Sequence, residues 1–425
     1  MKYKGGIFVK VGKKVLTVLM SLGLCTTMLV GCRSKESLNN DKKTTLSFYI
    51  PGYEDPIYKD AYDSGIKDFE KENPNIDINV IPVSWDDSTT KMVSMIQGKN
   101  APDVMITGSQ RLKPLIKMKA IEPLDKYITD EKKSHYIENL FNTANVDGKQ
   151  YGLPMAFSSR ALYYRKDLIK EPPKTWDDIV KISKELESKN PDMKGYAVTG
   201  KLKGSVDTQL GNFLVQNEAS FYDENGKPSL NTAQALEAFE FYTGLYTKEK
   251  VAPNPVDVNR NDLGDMFKNG KIAMFVNGPW AKDAMGIKED DPNTPFGVAM
   301  LPTGKQNGEV LITDSYVISS SSEHKEEAYK FIDFMTQYKY QNAYDEKVGF
   351  FPLLKKEMDE KRYQTDFYKP FTEMIKYGKP APIPPIFEDF EDIVAKAVQK
   401  TVLGEKTAKE ALDEAQKELI NLENK

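Results

Sequence analysis

Aromatic rings at the ends of apolar runs, interspersed with charged and amide side chains, set the chemistry open to this chain. Trp280 closes the run FKNGKIAMFVNGPW, after an apolar burst that breaks at Asn277-Gly278-Pro279. Tyr49 and Tyr53 flank Ile50-Pro51-Gly52, and Trp85 follows the next apolar alternation. With 22 tyrosines and 20 phenylalanines rings are plentiful, so it is their position at strand ends that carries the argument. In open α/β sheets, ligands bind beyond the carboxyl ends of the strands. Rings there suit a sugar: they cover its C–H faces, while Gln, Arg, Glu and Asp hydrogen-bond its hydroxyls.

The residues for covalent or metal chemistry are sparse. His135 and His324 are the only histidines and lie far apart without ligand spacing, which argues against a zinc site or a His-dependent triad. There is no G-x-S-x-G elbow and no G-x-G-x-x-G after a strand. GDMFKNGK spaces its glycines too widely for a phosphate loop and has Ile272 where Ser or Thr is required. We therefore expect no catalytic residue, no metal and no cofactor. A two-carboxylate glycosidase survives mere counting of the 63 acids. Asp86-Asp87 and Asp290-Asp291 read as solvated loops instead.

The N-terminus supplies an address. Lys2, Lys4, Lys10, Lys13 and Lys14 precede an uncharged apolar stretch, Val15 to Val30, shorter than the ~20 residues a spanning helix needs. It ends in Leu29-Val30-Gly31-Cys32. That pattern favours a bacterial lipoprotein signal (residues 1–31, lipid on Cys32) over a plain signal peptide or a membrane anchor helix. Cleavage would discard Cys25 and leave one cysteine, so a disulfide is not expected. Residues 32–43 read as a polar tether. Loss of five lysines and no acids moves the net charge from −4 to −9, which offers no basic stripe for nucleic acid.

The elements that must position these rings alternate. Leu46 to Ile50 reads as a strand; Tyr58, Tyr62, Ile66 and Phe69 recur at helical spacing until Asn73-Pro74. Ile76, Ile78 and Val80 alternate as a strand, Met92 to Ile96 forms a helix stopped by Gly98, and PDVMIT is a third strand. This order predicts an α/β fold with a parallel sheet covered on both faces. Further along, Thr175 caps a helix in which Trp176 packs, GYAVTG reads as a strand, and Thr232 to Thr247 as a helix. FGVAMLP and SYVISS read as strands, and the chain is mostly helical from Lys325, with Ala408 to Leu422 amphipathic.

Over residues 44–420 the chain resembles the family 1 extracellular solute-binding proteins of ATP-driven importers. The marks, in order, are FEKENPNIDINV, APDVM, DGKQYGLPMAF, YYRKDLIKEPPKTWDDI, FKNGKIAMFVNGPW, FGVAMLPTGK, HKEEAYKFIDFM, GFFP and LGEKTAKEALDEAQKEL. The resemblance implies a periplasmic-binding-protein-like type II fold: two α/β lobes, hinge crossovers, and a ligand cleft between them. One lobe would take residues 44–156 and 313–355, the other 157–312 and 356–425, with crossovers at GLPMAF and VLITDS. It implies a monomeric carbohydrate receptor, lipid-anchored outside a Gram-positive cell, serving two permease subunits and an ATPase.

The resemblance also implies site residues. Trp280 would stack on sugar in the cleft. Trp85 at its strand end, Tyr53 and Glu54 on the first-strand loop, and Gln110 and Arg111 after the third strand would contact ligand. So would Ser158 and Arg160 at the first crossover, Asp314 and Tyr316 beside another, and Glu388 after the Pro-rich segment. Maltose-type binders have Trp, Asp and Glu where this chain has Thr107, Gln110 and Ser158, which speaks against maltodextrin itself. Asp103 reads as a structural strand-loop contact, and Arg160 as the partner of either a carboxylate or a substrate anion. Arg111 and Arg160 keep open a binder of an anionic solute, such as a glycerophosphodiester or uronate oligosaccharide. A cell-surface polysaccharide-degrading enzyme and a non-transporting regulatory lipoprotein are the more distant alternatives.

Overall fold

The computed structural model describes residues 43–85, 87–286 and 293–424. The leader, Cys32, the tether before residue 43, Asp86 and the Asp290-Asp291 pair lie outside the described residues. The chain opens with strand β1 (Thr44–Pro51), helix α1 (Pro56–Glu72), strand β2 (Ile76–Val83), helix α2 (Ser88–Gln97), strand β3 (Val104–Gly108) and the short helix α3 (Leu112–Lys117). Asp55 caps α1 by accepting from the Ile57 N–H at 2.9 Å, and Pro56 fills its first turn. Asn73 ends it, the stop that Asn73-Pro74 predicts. β1 lies between β2 and β3, parallel to both. Its alternation feeds two cores. Leu46, Phe48 and Ile50 face one side with Tyr62, Phe69 and Phe331, while Tyr49 faces the other with Met92 and Met105. Phe48 meets Phe331 edge-on at 5.1 Å. Burying a ring of this size contributes on the order of 1.5–3 kcal/mol.

Strands β4 (Leu153–Ser158) and β5 (Ala161–Arg165) lead into a run of helices: α4 (Trp176–Lys189), α5 (Val206–Gln216), α6 (Ala233–Thr247) and α7 (Arg260–Lys268). Strands β6 (Met274–Asn277) and β7 (Phe296–Ala299) flank β5 on either side, both antiparallel to it. Thr175 and Asp178 form a reciprocal cap on α4. Trp176 is buried, its Nε1 donating to Gln216 Oε1 at 2.8 Å and its ring stacked on Phe241 at 4.7 Å. It packs, as expected.

Strand β8 (Glu309–Ile318) is ten residues long and serves both halves. At its start, the Val310 N–H donates to Asn212 Oδ1 of α5 at 2.9 Å. Toward its end, Asp314 to Ile318 pair antiparallel with β3, and its middle pairs antiparallel with β4. The first sheet is thus mixed, where the strand-helix alternation predicts parallel pairing. VLITDS lies wholly within this strand. Helices α8 (Lys325–Met335) and α9 (Tyr338–Val348), the short strand β9 (Gly378–Pro380) parallel to β8, and helices α10 (Phe387–Val402) and α11 (Ala408–Glu423) follow, with a few short helices and a two-strand pair elsewhere.

GYAVTG departs from expectation. Tyr196 donates to Val251 O at 3.1 Å but Ala197 donates to Met274 O at 3.2 Å, so successive groups serve different neighbours and no ladder forms. Among the described residues no helix is long and apolar enough to cross a membrane.

Candidate solute-binding cleft

The turn that holds Trp280 is built from its own sequence. Asn277 Oδ1 accepts from the Gly278 N–H at 2.8 Å, and the Tyr163 hydroxyl donates to Gly278 O at 2.8 Å. The indole then folds back over Gly278: a Cβ there would stand 2.2 Å from a ring carbon, so only glycine admits this approach. Two guanidinium carbons lie over the same indole, that of Arg160 at 4.9 Å from the ring and that of Arg260 at 5.0 Å. The indole therefore carries cations, an attraction between positive charge and the ring's negative face.

Arg160 is buried and fixed at the end of β4. Its Nη1 donates to Ser158 O at 3.0 Å, Ser158 Oγ at 3.1 Å and Ser159 O at 3.1 Å. Burial, and then the neighbouring Arg260 charge, push its guanidinium down to about 9. Beneath it, fully buried Glu309 accepts from Ser159 Oγ at 3.0 and 2.8 Å and from the Arg160 N–H at 3.0 Å. Burial raises this carboxyl to about 7 despite those bonds. Asp207, at the start of α5, is buried near both arginines, and burial raises its carboxyl too.

The facing wall comes from the turn after β3. Gln110 is buried, and its Nε2 lies 3.5 Å from Asp207 Oδ2, at the limit of a hydrogen bond. Arg111 Nε lies 3.7 Å from Glu388 Oε1, and its guanidinium lies 4.9 Å from the Phe387 ring. Half-buried Asp314 shares this corner, raised by burial to about 6 while Arg111 pulls the other way. Outward, Trp85 is 42% exposed, with Tyr58 6.2 Å from it edge-on. Gly52, at φ +78°, permits the turn beneath it. A cavity of about 690 Å³ opens between α2 and α10, lined by Trp85, Thr89, Gln97, Arg111, Lys203, Glu388 and Glu391.

Of the residues singled out from sequence, Trp85, Arg111 and Glu388 line that cavity. Gln110, Ser158, Arg160 and Trp280 surround the charged floor described above, and Asp314 lies at the Arg111 corner of the facing wall. Two residues lie apart. Tyr53 is half-buried on its own turn, its hydroxyl bonded to Asp63 and accepting from Lys59 Nζ at 3.2 Å, and neighbouring Glu54 is exposed. Tyr316 is a correction: it is 2% exposed and packs on Phe48 at 5.9 Å, because its position on β8 faces the core. Tyr49 is likewise buried, its hydroxyl donating to Ser88 O at 2.7 Å. Asp103 accepts from the Ser47 N–H at 2.8 Å and from the Ser47 and Ser322 hydroxyls at 2.6 Å, the structural role expected of it.

Sequence reasoning missed Asp207, Arg260, Glu309, Phe387 and Glu391. One signal was available for Asp207. Every residue of α5 is buried, and its Asp, Gln and Asn positions interrupt any apolar stripe, which a helix does only when polar partners surround it. Among the described residues no group of His, Cys, Asp and Glu is arranged to hold a metal ion.

The model of the family described as bacterial extracellular solute-binding protein matches residues 55–342. The chain belongs to that family. A Brucella abortus chain named only as a binding protein is 32% identical over 348 residues, covering 80% of this chain and 84% of its own length. The maltooligosaccharide ABC transporter solute-binding lipoprotein of Streptococcus pneumoniae is 25% identical over 359 residues, 80% of each chain. Among solved structures, the sugar-binding protein MalE of Xanthomonas citri superposes with a TM-score of 0.78 at 22% identity, covering 90% of this chain and 98% of that one. This likeness establishes the fold as periplasmic-binding-protein-like type II, with two lobes and a cleft between them. Members of the family are transport receptors and not enzymes.

Proposed function

We propose that this chain is the non-catalytic, monomeric receptor of an ATP-driven importer, capturing a saccharide outside the cell and handing it to membrane permease subunits. Residues 1–31 act as a lipoprotein leader, lipid on Cys32 anchors the chain to the outer face of the membrane, and the stretch to residue 43 is a tether. The lobes comprise residues 44–156 with 313–355, and 157–312 with 356–425. Trp85, Gln110, Arg111, Ser158, Arg160, Asp314, Trp280 and Glu388 serve the ligand.

The observation that carries this reading is the cavity of about 690 Å³ between α2 and α10, where an exposed indole stands beside charged groups from both walls. Such a mixture of ring and hydrogen-bonding groups fits a polyhydroxylated ligand. Contacts from both walls favour the closed arrangement when ligand is present, a population shift driven by differential affinity. The test is a thermal-shift panel of mono- and oligosaccharides on the full-length chain. A ligand of the folded state raises the melting temperature. Stabilisation by at least one saccharide is expected; none across a broad panel would overturn the assignment. Globomycin-sensitive processing and labelling by radioactive palmitate test the anchor separately, and a Cys32→Ala chain should lose both.

A further inference from the structure

Five arginines fall among the described residues, and three end on a carboxylate: Arg111 on Glu388 at 3.7 Å, Arg165 on Asp167 at 2.6 Å and Arg362 on Glu346 at 3.8 Å. Arg160 and Arg260 make no ion pair among the described residues, although both lie at the floor of the cleft around one indole. Asp207 acts on both through space, Glu309 on Arg160 and Glu391 on Arg260. Glu309 is engaged by Ser159 and the Arg160 N–H. Of its guanidinium, Arg160 commits only Nη1 to hydrogen bonds among the described residues, and Arg260 Nε is buried without an acceptor among them.

This arrangement is costly three times over. Buried Arg160 and half-buried Arg260, without a close counter-ion, lose solvation that the more distant carboxylates and the indole replace only in part. Two cations sharing one ring repel each other. Arg260 is also the first residue of α7, where the helix dipole disfavours positive charge. One anion entering the floor relieves all three costs, and a neutral hydroxyl relieves none fully. The planar N–H fork of arginine matches the two oxygens of a carboxylate.

We propose that Arg160 and Arg260 receive the carboxylate of an acidic saccharide, a uronate unit, with Trp280 as the positioning residue that holds both guanidiniums. The proposal rests on the saccharide-receptor reading and narrows it. Trp280 then acts beneath the arginines, and Trp85, on the exposed wall, is the ring open to a sugar face.

The test is titration calorimetry of the full-length chain with galacturonate and glucuronate oligosaccharides, their carboxyl-reduced counterparts, and sugar phosphates. Acidic oligosaccharides should bind, weaken as salt rises, and lose about tenfold or more in affinity on carboxyl reduction. Arg260→Gln should cause a similar loss while leaving the melting temperature of the free chain unchanged or higher, since an unpaired cation has been removed. Arg260→Lys should retain part of the affinity. Equal binding of reduced and acidic forms overturns the proposal but leaves the receptor reading intact. Tighter binding of sugar phosphates overturns the carboxylate, and an unaltered affinity in Arg260→Gln overturns the residue assignment. Failure of every saccharide overturns the receptor reading itself.

Discussion

The mouth and the floor of the cleft treat charge in opposite ways. At the mouth, cations and anions answer each other across the gap. Arg111 faces Glu388, and Lys113 on α3 reaches Glu423 at the end of α11, with Nζ 2.7 Å from Oε2. On the floor, the Arg160 and Arg260 guanidiniums gather around Trp280 with no carboxylate in direct contact among the described residues. Mouth pairs are partly solvated, so each contributes little, on the order of 0–1 kcal/mol. Floor charges are desolvated, so each is expensive until something binds. The difference separates two tasks. On the proposed reading, the mouth would bias the distance between the walls and the floor would read what lies between them.

The largest expected effect probes the support of the floor. The Glu309 carboxyl is raised from its ordinary 4.5 to about 7, so its neutral form favours the folded state. That contribution is complete below pH 4.5 and is lost as pH rises through 7. Glu309→Gln cannot ionise, so its stability relative to the parent should rise between these limits by up to about 3 kcal/mol. Urea melts of both chains at pH 4.5, 6 and 7.5 would show it; parallel profiles would refute the raised carboxyl. Next comes Trp280→Ala, which removes the surface beneath both guanidiniums. It should weaken binding of the identified ligand by about 1–3 kcal/mol, read by calorimetry. An unchanged affinity would take Trp280 out of the site.

Trp85→Ala should cost less, about 0.5–1.5 kcal/mol in the same titration, because its ring is open to solvent on one side. Smallest is the mouth. Lys113→Ala should change affinity by no more than about 1 kcal/mol, and that change should vanish at high salt. Small-angle scattering of the unliganded chain should show a slightly larger radius of gyration. An effect of Lys113→Ala as large as that of Trp280→Ala would erase the distinction between mouth and floor.

The first sheet was legible because β1, β2 and β3 are continuous or alternating apolar runs bounded by clear helix signals. The capped start at Thr175 and the structural Asp103 were readable for the same reason: local chemistry decided them. Two features were not readable. β8 pairs antiparallel with β3, yet its partner lies two hundred residues earlier in the chain, so nothing near it announces direction. GYAVTG has strand composition, but its neighbours Val251 and Met274 divide its hydrogen bonds between them. In the site, rings were easy to find and their roles were not. Tyr316 and Trp85 each follow a serine, but Tyr316 lies inside β8, whose register sends it inward, while Trp85 lies past the end of β2. Arg260 sits in an ordinary capping sequence, Asn259 to Asp262, and acquires meaning only beside Trp280.

β8 also constrains how the molecule can flex. One end is tied to α5 through Asn212 and the other to β3, so the halves cannot separate by sliding along it. Any relative motion of its two ends would have to bend the strand, and the pairing with β4 slips register between Asp314 and Ser315. That irregularity would serve as the pivot of such bending, and Asp314 sits on it beside Arg111. A charge change at this carboxyl would therefore be felt as leverage, turning a local event into travel at the far rim.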